Sequence, residues 1–133
     1  MKNIYRHTKT TVSLINYHFV FCPRYRRKIF NIEGLERRFR ELTVNECNRC
    51  GIEILDLECH ADHVHIYVST LPDISIPQIM RIIKDASSFV LREEFVELGA
   101  MPSLWTRNYL VSTENTLNPE TIEWYVNTQK TRP

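Results

Sequence analysis

Between Asp62 and Val68 the chain reads as two interleaved sets, with Val64, Ile66 and Val68 in one and His63, His65 and Tyr67 in the other. A strand sends alternate side chains to opposite faces. The stretch therefore predicts a strand with one apolar face and one face that carries two imidazoles. Thr10 to Cys22 shows the same alternation, Tyr17, Phe19 and Phe21 against Asn16, His18 and Val20, and predicts a second strand closed by Pro23. Gly51 to His60, with Ile52, Ile54 and Leu57, predicts a third, joined to the His63 strand by a short turn at Ala61-Asp62 in a hairpin. Leu104 to Val111 is rich in strand formers.

Three segments change to helical spacing. Ile32, Leu35, Phe39 and Leu42 open a helix that reaches Cys50 and stops at Gly51. Ser75 offers an N-cap and Pro77 a first-turn proline to a second helix, whose stripe of Ile76, Ile79, Met80, Ile83, Val90 and Leu91 extends to about Phe95. Asn118-Pro119-Glu120 starts a third. On it Tyr125 and Gln129 share one side, and Ile122 and Val126 form a neighbouring stripe that can anchor it. Patterning alone therefore supports an α+β fold.

With 133 residues, 43% of them hydrophobic, one compact domain over residues 1–133 accounts for the whole chain. The net charge of +1 excludes a global positive field, so binding of phosphates has to come from local patches. Four cysteines, Cys22, Cys47, Cys50 and Cys59, are too few and too irregular for a disulfide scaffold and fit a reducing compartment. Cys47-x-x-Cys50 ends a helix, and a zinc site there would need Cys59 and His60, so packing is the preferred role. No long apolar segment is present, and the expectation is a soluble cytoplasmic protein. Residues 1 to 9, with Lys2, Arg6, His7 and Lys9, are expected to form a loosely held arm.

Three places carry candidate chemistry. His63 and His65 lie within reach of one divalent ion, although paired histidines on a half-solvated strand are also common surface residues, and a third ligand or a nucleophile has to decide. Arg24-Tyr25-Arg26-Arg27-Lys28 gathers four cations around one aromatic, either a solvated loop or a clamp for phosphates with a ring to stack on an unpaired base. Tyr125 and Gln129 leave their helix together toward a partner surface.

Taken in order, several motifs resemble the single-tyrosine HUH transposases of the smallest bacterial and archaeal insertion sequences, the IS200-like family. They are Asn16-Tyr17-His18-Phe19-Val20-Phe21 with the basic run behind it, Asp62-His63-Val64-His65, and Ile83-Lys84-Asp85-Ala86-Ser87-Ser88. They continue through Leu104-Trp105 and Tyr109-Leu110-Val111-Ser112-Thr113 to Trp124-Tyr125-Val126 and Gln129. The resemblance implies a ferredoxin-like, RRM-like antiparallel sheet with helices on one face and a C-terminal helix carrying the catalytic tyrosine. It implies Tyr125 as nucleophile, His63, His65 and Gln129 as ligands of Mg²⁺ or Mn²⁺, and DNA contacts from Arg24, Arg26, Arg27, Lys28 and Lys84. It further implies single-stranded DNA with subterminal hairpins as substrate, a covalent 5′-phosphotyrosine, no nucleotide cofactor, and a homodimer with shared active sites. The chain departs from the family at His60-Ala61, where Met-Pro is usual, at Asp85, where glycine is usual, and at Glu114-Asn115, where Val-Gly is usual. The last change removes a glycine that could hinge the Tyr125 helix. Two other classes remain, a nucleic-acid-binding module on an RRM-like sheet without catalysis and a metal-dependent phosphohydrolase using water.

Overall fold

In the computed structural model, which describes residues 4–131, the first two strands form a small ribbon. β1 (Arg6–His7) pairs antiparallel with β2 (Val12–Ser13). From Arg6 onward the expected arm is therefore tied down, because the Arg6 guanidinium donates to the carbonyls of Ser69 and Gly51 at 3.1 and 2.9 Å. Lys2 lies outside the described residues.

The main sheet contains β3 (Ile15–Phe21), β4 (Glu53–His60), β5 (His63–Thr70) and β6 (Leu110–Ser112), in the order β4-β5-β3-β6 and antiparallel throughout. β4 and β5 form the expected hairpin. The register shifts between Ile54 and Asp56, which leaves Leu55 exposed on the edge strand. Such a bulge discourages edge pairing with another chain.

Helices α1 (Leu35–Arg49) and α2 (Ile76–Glu94) cover one face. Phe19, Phe21, Val64, Ile66 and Val68 reach down from the sheet to meet Phe39, Ile79, Ile83 and Leu91, all buried in one cluster. Burying a side chain such as Phe19 or Ile66 contributes about 1.5–3 kcal/mol, so this face sets the register of β3 and β5. Gly51 terminates α1 with a φ of 76°, a backbone region that glycine enters without steric cost. Ser75 and Gln78 cap α2 reciprocally, each side chain bonded to the other's backbone N–H.

The strand expected from Leu104 is only three residues long, Leu110–Ser112. Trp105 explains the loss. Its ring packs edge-on against Phe21 and Phe39, and its indole N–H donates to Ser87 Oγ at 3.0 Å, so the chain is drawn into the core instead of extending along β3. Helix α3 (Pro119–Asn127) lies on the opposite sheet face, where Leu117, Tyr125 and Val126 pack on Val20 and Cys22. The two-layer α+β arrangement agrees with the expectation, with the long helices on one face and the histidines on the other.

Candidate functional site

The sheet face opposite α1 and α2 receives His63, His65 and Tyr67 from β5 and His18 from β3, beside the part of it that α3 covers. Glu58 lies opposite His65 and His60 opposite His63 across the hairpin. The rings of His60 and His63 stack at 4.4 Å. Asp62 Oδ1 accepts from His63 Nδ1 at 3.0 Å, and Asp62 Oδ2 accepts from Arg26 at 3.1 Å. Burial alone would raise the Asp62 carboxyl, but the bonds from His63 and Arg26 outweigh it and hold the group below its ordinary range. Burial lowers both His63 and His65, with Asp62 opposing it at His63 and the neighbouring His18 reinforcing it at His65. Both rings are thus biased toward the neutral form in which imidazole binds metals.

A cavity of about 540 Å³ opens over this pair, bounded by Arg26, Glu58, His60 and Asp62 on the sheet side and by Ile122, Glu123, Val126 and Asn127 of α3 on the other. Tyr125 and Gln129 do not line it. The Tyr125 side chain is 8% exposed and its hydroxyl donates to Asn108 Oδ1 at 3.0 Å. Burial pushes its phenol well above the ordinary tyrosine range. Gln129 lies beyond the end of α3 and its Nε2 donates back to the Tyr125 carbonyl, so the pair does not share a helical face as the spacing suggested. It borders a separate cavity of about 360 Å³ with Arg24, Tyr25, Arg107 and Lys130.

Among the described residues no three His, Cys, Asp or Glu side chains converge as a metal-holding group. His63 and His65 fit as two ligands of a divalent ion, which leaves a further ligand position to fill. An amide oxygen such as that of Gln129 is a suitable type, but within this chain it is turned elsewhere. The cysteines take no part. Burial pushes Cys47 and Cys59 up to about 12, as expected of thiols packed in the core.

The basic run divides. Arg24 lines the cavity beside Gln129 and a further one of about 340 Å³ with Lys84 and Arg107. Arg26 is paired with Asp62, Arg27 lies 5.7 Å from the centre of the Tyr25 ring, and Lys28 is exposed. Tyr25 and Arg26 both take left-handed φ values, 58° and 52°, in which L residues are strained, and the Arg26–Asp62 pair helps to hold them there. Lys84 donates to the Thr106 and Asn108 carbonyls at 2.8 and 3.0 Å. Arg107, Lys130, Asn108 and His18 were not singled out from sequence. For His18 a signal existed, because it occupies the set alternating with the core aromatics Tyr17, Phe19 and Phe21 and so had to face the histidine side.

Comparison with known proteins gives consistent results. The family model described as IS200-like transposase matches residues 11–129. The transposase of insertion sequence IS200 from Salmonella typhimurium is 35% identical over 100 residues, 73% of this chain and 65% of the relative, so the chain spans about two thirds of that relative's length. The ISDra2 transposase TnpA of Deinococcus radiodurans is 27% identical over 121 residues, covering 86% of this chain and 84% of the relative. A crystal structure of a candidate transposase from Deinococcus radiodurans superposes with a TM-score of 0.82 at 22% identity, covering 96% and 99% of the two chains. A REP-associated tyrosine transposase bound to a REP hairpin superposes at 0.56 with 13% identity, over 92% of this chain and 68% of the other. At those identities the two structures speak for the fold alone. The match over residues 11–129 includes the histidine pair and the Tyr125 helix, and the chain belongs to the IS200-like transposase family.

Proposed function

We propose that the protein is a DNA transposase that cuts and rejoins single-stranded DNA at the ends of an insertion sequence through a covalent 5′-phosphotyrosine. The observation that carries this reading is the pair of imidazoles, His63 and His65, on one cavity walled by the helix that bears Tyr125. Tyr125 Oη attacks the scissile phosphorus, the P–O3′ bond breaks, the phenol gives up its proton and the departing 3′ oxygen takes one up. Attack by a free 3′-hydroxyl on the phosphotyrosine then rejoins strands, and the tyrosine oxygen leaves and regains its proton. One ester replaces another, so no nucleotide cofactor is consumed. His63, His65 and a Gln129 are the residues to hold Mg²⁺ or Mn²⁺, which when bound supplies positive charge to the reacting phosphate. Arg24, Lys84 and the exposed Arg27 and Lys28 hold the DNA backbone without reading its sequence.

In this conformation Tyr125 is stowed against Asn108, and the Gln129 of the same chain faces away from the histidines. We assign the working site to a homodimer, with His63 and His65 from one chain and Tyr125 from the other. Single-stranded DNA carrying a hairpin is the substrate of this reading. The burial of Tyr125 also favours a second reading, a module that binds such DNA without cutting it. Incubation with labelled hairpin DNA and Mn²⁺, followed by a denaturing gel, separates the two. The transposase reading expects a protein–DNA adduct from the unaltered chain, none from Tyr125→Phe, and nearly equal DNA binding by both. An adduct with Tyr125→Phe removes Tyr125 from its role, and binding without any adduct from the unaltered chain leaves the module.

A further inference from the structure

His18 stands in a chain of ring nitrogens whose hydrogens can be assigned one by one. Its Nε2 lies 3.2 Å from the carbonyl oxygen of Asn115, and its Nδ1 lies 2.9 Å from Nε2 of His65. A carbonyl oxygen only accepts, so His18 Nε2 carries a hydrogen, and a neutral imidazole has one N–H. Its Nδ1 is then an acceptor. The hydrogen between the two rings therefore belongs to His65 Nε2. An imidazole of ordinary basicity is neutral at pH 8. The other ring nitrogen of His65, Nδ1, is left with its lone pair, 3.5 Å from the Glu58 carboxylate that borders the cavity. His63 has the reverse arrangement, with Asp62 accepting from Nδ1 and Nε2 left unprotonated.

We propose that His18 is a positioning residue of the histidine pocket: it holds His65 in the Nε2–H tautomer, so that a metal ion is offered Nδ1 of His65 and Nε2 of His63. The partner that fixes a metal-binding imidazole is usually a carboxylate or a carbonyl. Here it is a second imidazole, 6% exposed and stacked on Tyr67 at 3.9 Å with 11° between the planes. Asn115 belongs to the connection between β6 and α3, so the ring chain links the segment that carries the Tyr125 helix to a metal ligand.

This inference rests on reading His63 and His65 as ligands, and its test treats the two ideas separately. Protein labelled with ¹⁵N-histidine is examined by NMR at pH 8 without metal, where nitrogen–proton correlations identify the tautomer of each ring. Nε2–H at His65 and Nδ1–H at His63 are expected, and Nδ1–H at His65 overturns the proposal. His18→Phe retains a ring on Tyr67 but removes the acceptor, so His65 should no longer be held in one tautomer and Mn²⁺ affinity should fall by about tenfold or more. His18→Gln supplies an amide oxygen to the same hydrogen and should restore the Nε2–H form. An unchanged His65 tautomer in His18→Phe also overturns the proposal, and if that variant does not fold, the spectra of the unaltered and His18→Gln proteins decide it. Addition of Mn²⁺ should broaden the His63 and His65 ring signals selectively. Failure of that step with the expected tautomers in place defeats the ligand reading and not the tautomer assignment.

Discussion

Lys84 holds its ammonium against two backbone carbonyls, and burial lowers its pKa from 10.5 to about 8. Two consequences follow with definite signs. The charge is present below about pH 8 and lost above it, so the DNA phosphate that the proposed function assigns to Lys84 should be released as the pH rises from 7 to 9. The slope of log affinity against log salt should shrink over that range by about 0.7, the contribution of one phosphate on single-stranded DNA. Lys84→Arg, which stays charged, should show no such change in fluorescence titrations at several salt concentrations. For folding, the unfolded chain binds more protons than the folded one between about pH 8 and 10.5, so this group's contribution to stability rises with pH across that window. At the histidines, His63→Ala and His65→Ala should each abolish metal-dependent cleavage, while Gln129→Ala weakens it less because both imidazoles remain. Titration calorimetry with Mn²⁺ checks this, and unchanged affinity in His65→Ala would return the pair to ordinary surface histidines.

At the scale of elements, α2 is long and reciprocally capped, whereas α3, although capped by Asn118, depends on packing. Ser75→Ala removes one half of the capping box and should cost about 1 kcal/mol, read as a lower urea midpoint with an unchanged slope. DNA binding should stay the same. α3 extends only from Pro119 to Asn127, too short to be stable in isolation, and is held by Leu117, Tyr125 and Val126 against the sheet. Carrying Tyr125 to a histidine pair has to break its bond to Asn108 and lift these side chains. Asn108→Ala removes the acceptor, and adduct formation should become roughly fivefold faster, the equivalent of about 1 kcal/mol for one net hydrogen bond. A slower or equal rate in a quenched time course would show that Asn108 does not restrain the tyrosine. The glycine usual at the Glu114-Asn115 connection has no conformational role in this state, since neither residue takes a positive φ there.

For the whole molecule, the separation of Tyr125 and Gln129 from the histidine cavity makes assembly the decisive question. A protein carrying His63→Ala and His65→Ala is mixed with a Tyr125→Phe protein, both inactive alone, and the subunits are allowed to reassort. If sites are built across a dimer, each heterodimer has one intact site and cleavage of single-stranded DNA returns. Confirmed heterodimers without cleavage would exclude the shared site. Among the described residues, no helix is long and apolar enough to cross a membrane.

Much of this protein was legible in its sequence because the information is local. Alternation placed Val64, Ile66 and Val68 in the core and His63 and His65 on the other face. Helical spacing and caps located α1, α2 and the start of α3, each through neighbours a few residues away. Periodicity identifies an apolar face but not what covers it. Only the tertiary structure paired His18 with His65, 47 residues apart, and bound Arg26 to Asp62. Packing likewise decided that Trp105 enters the core at the expense of β6, and that Tyr125 turns inward because its ring fills the gap between α3 and the sheet. A tyrosine is large enough to be buried and polar enough to react, and its sequence neighbours do not choose between these states. That choice belongs to the surface on which α3 docks.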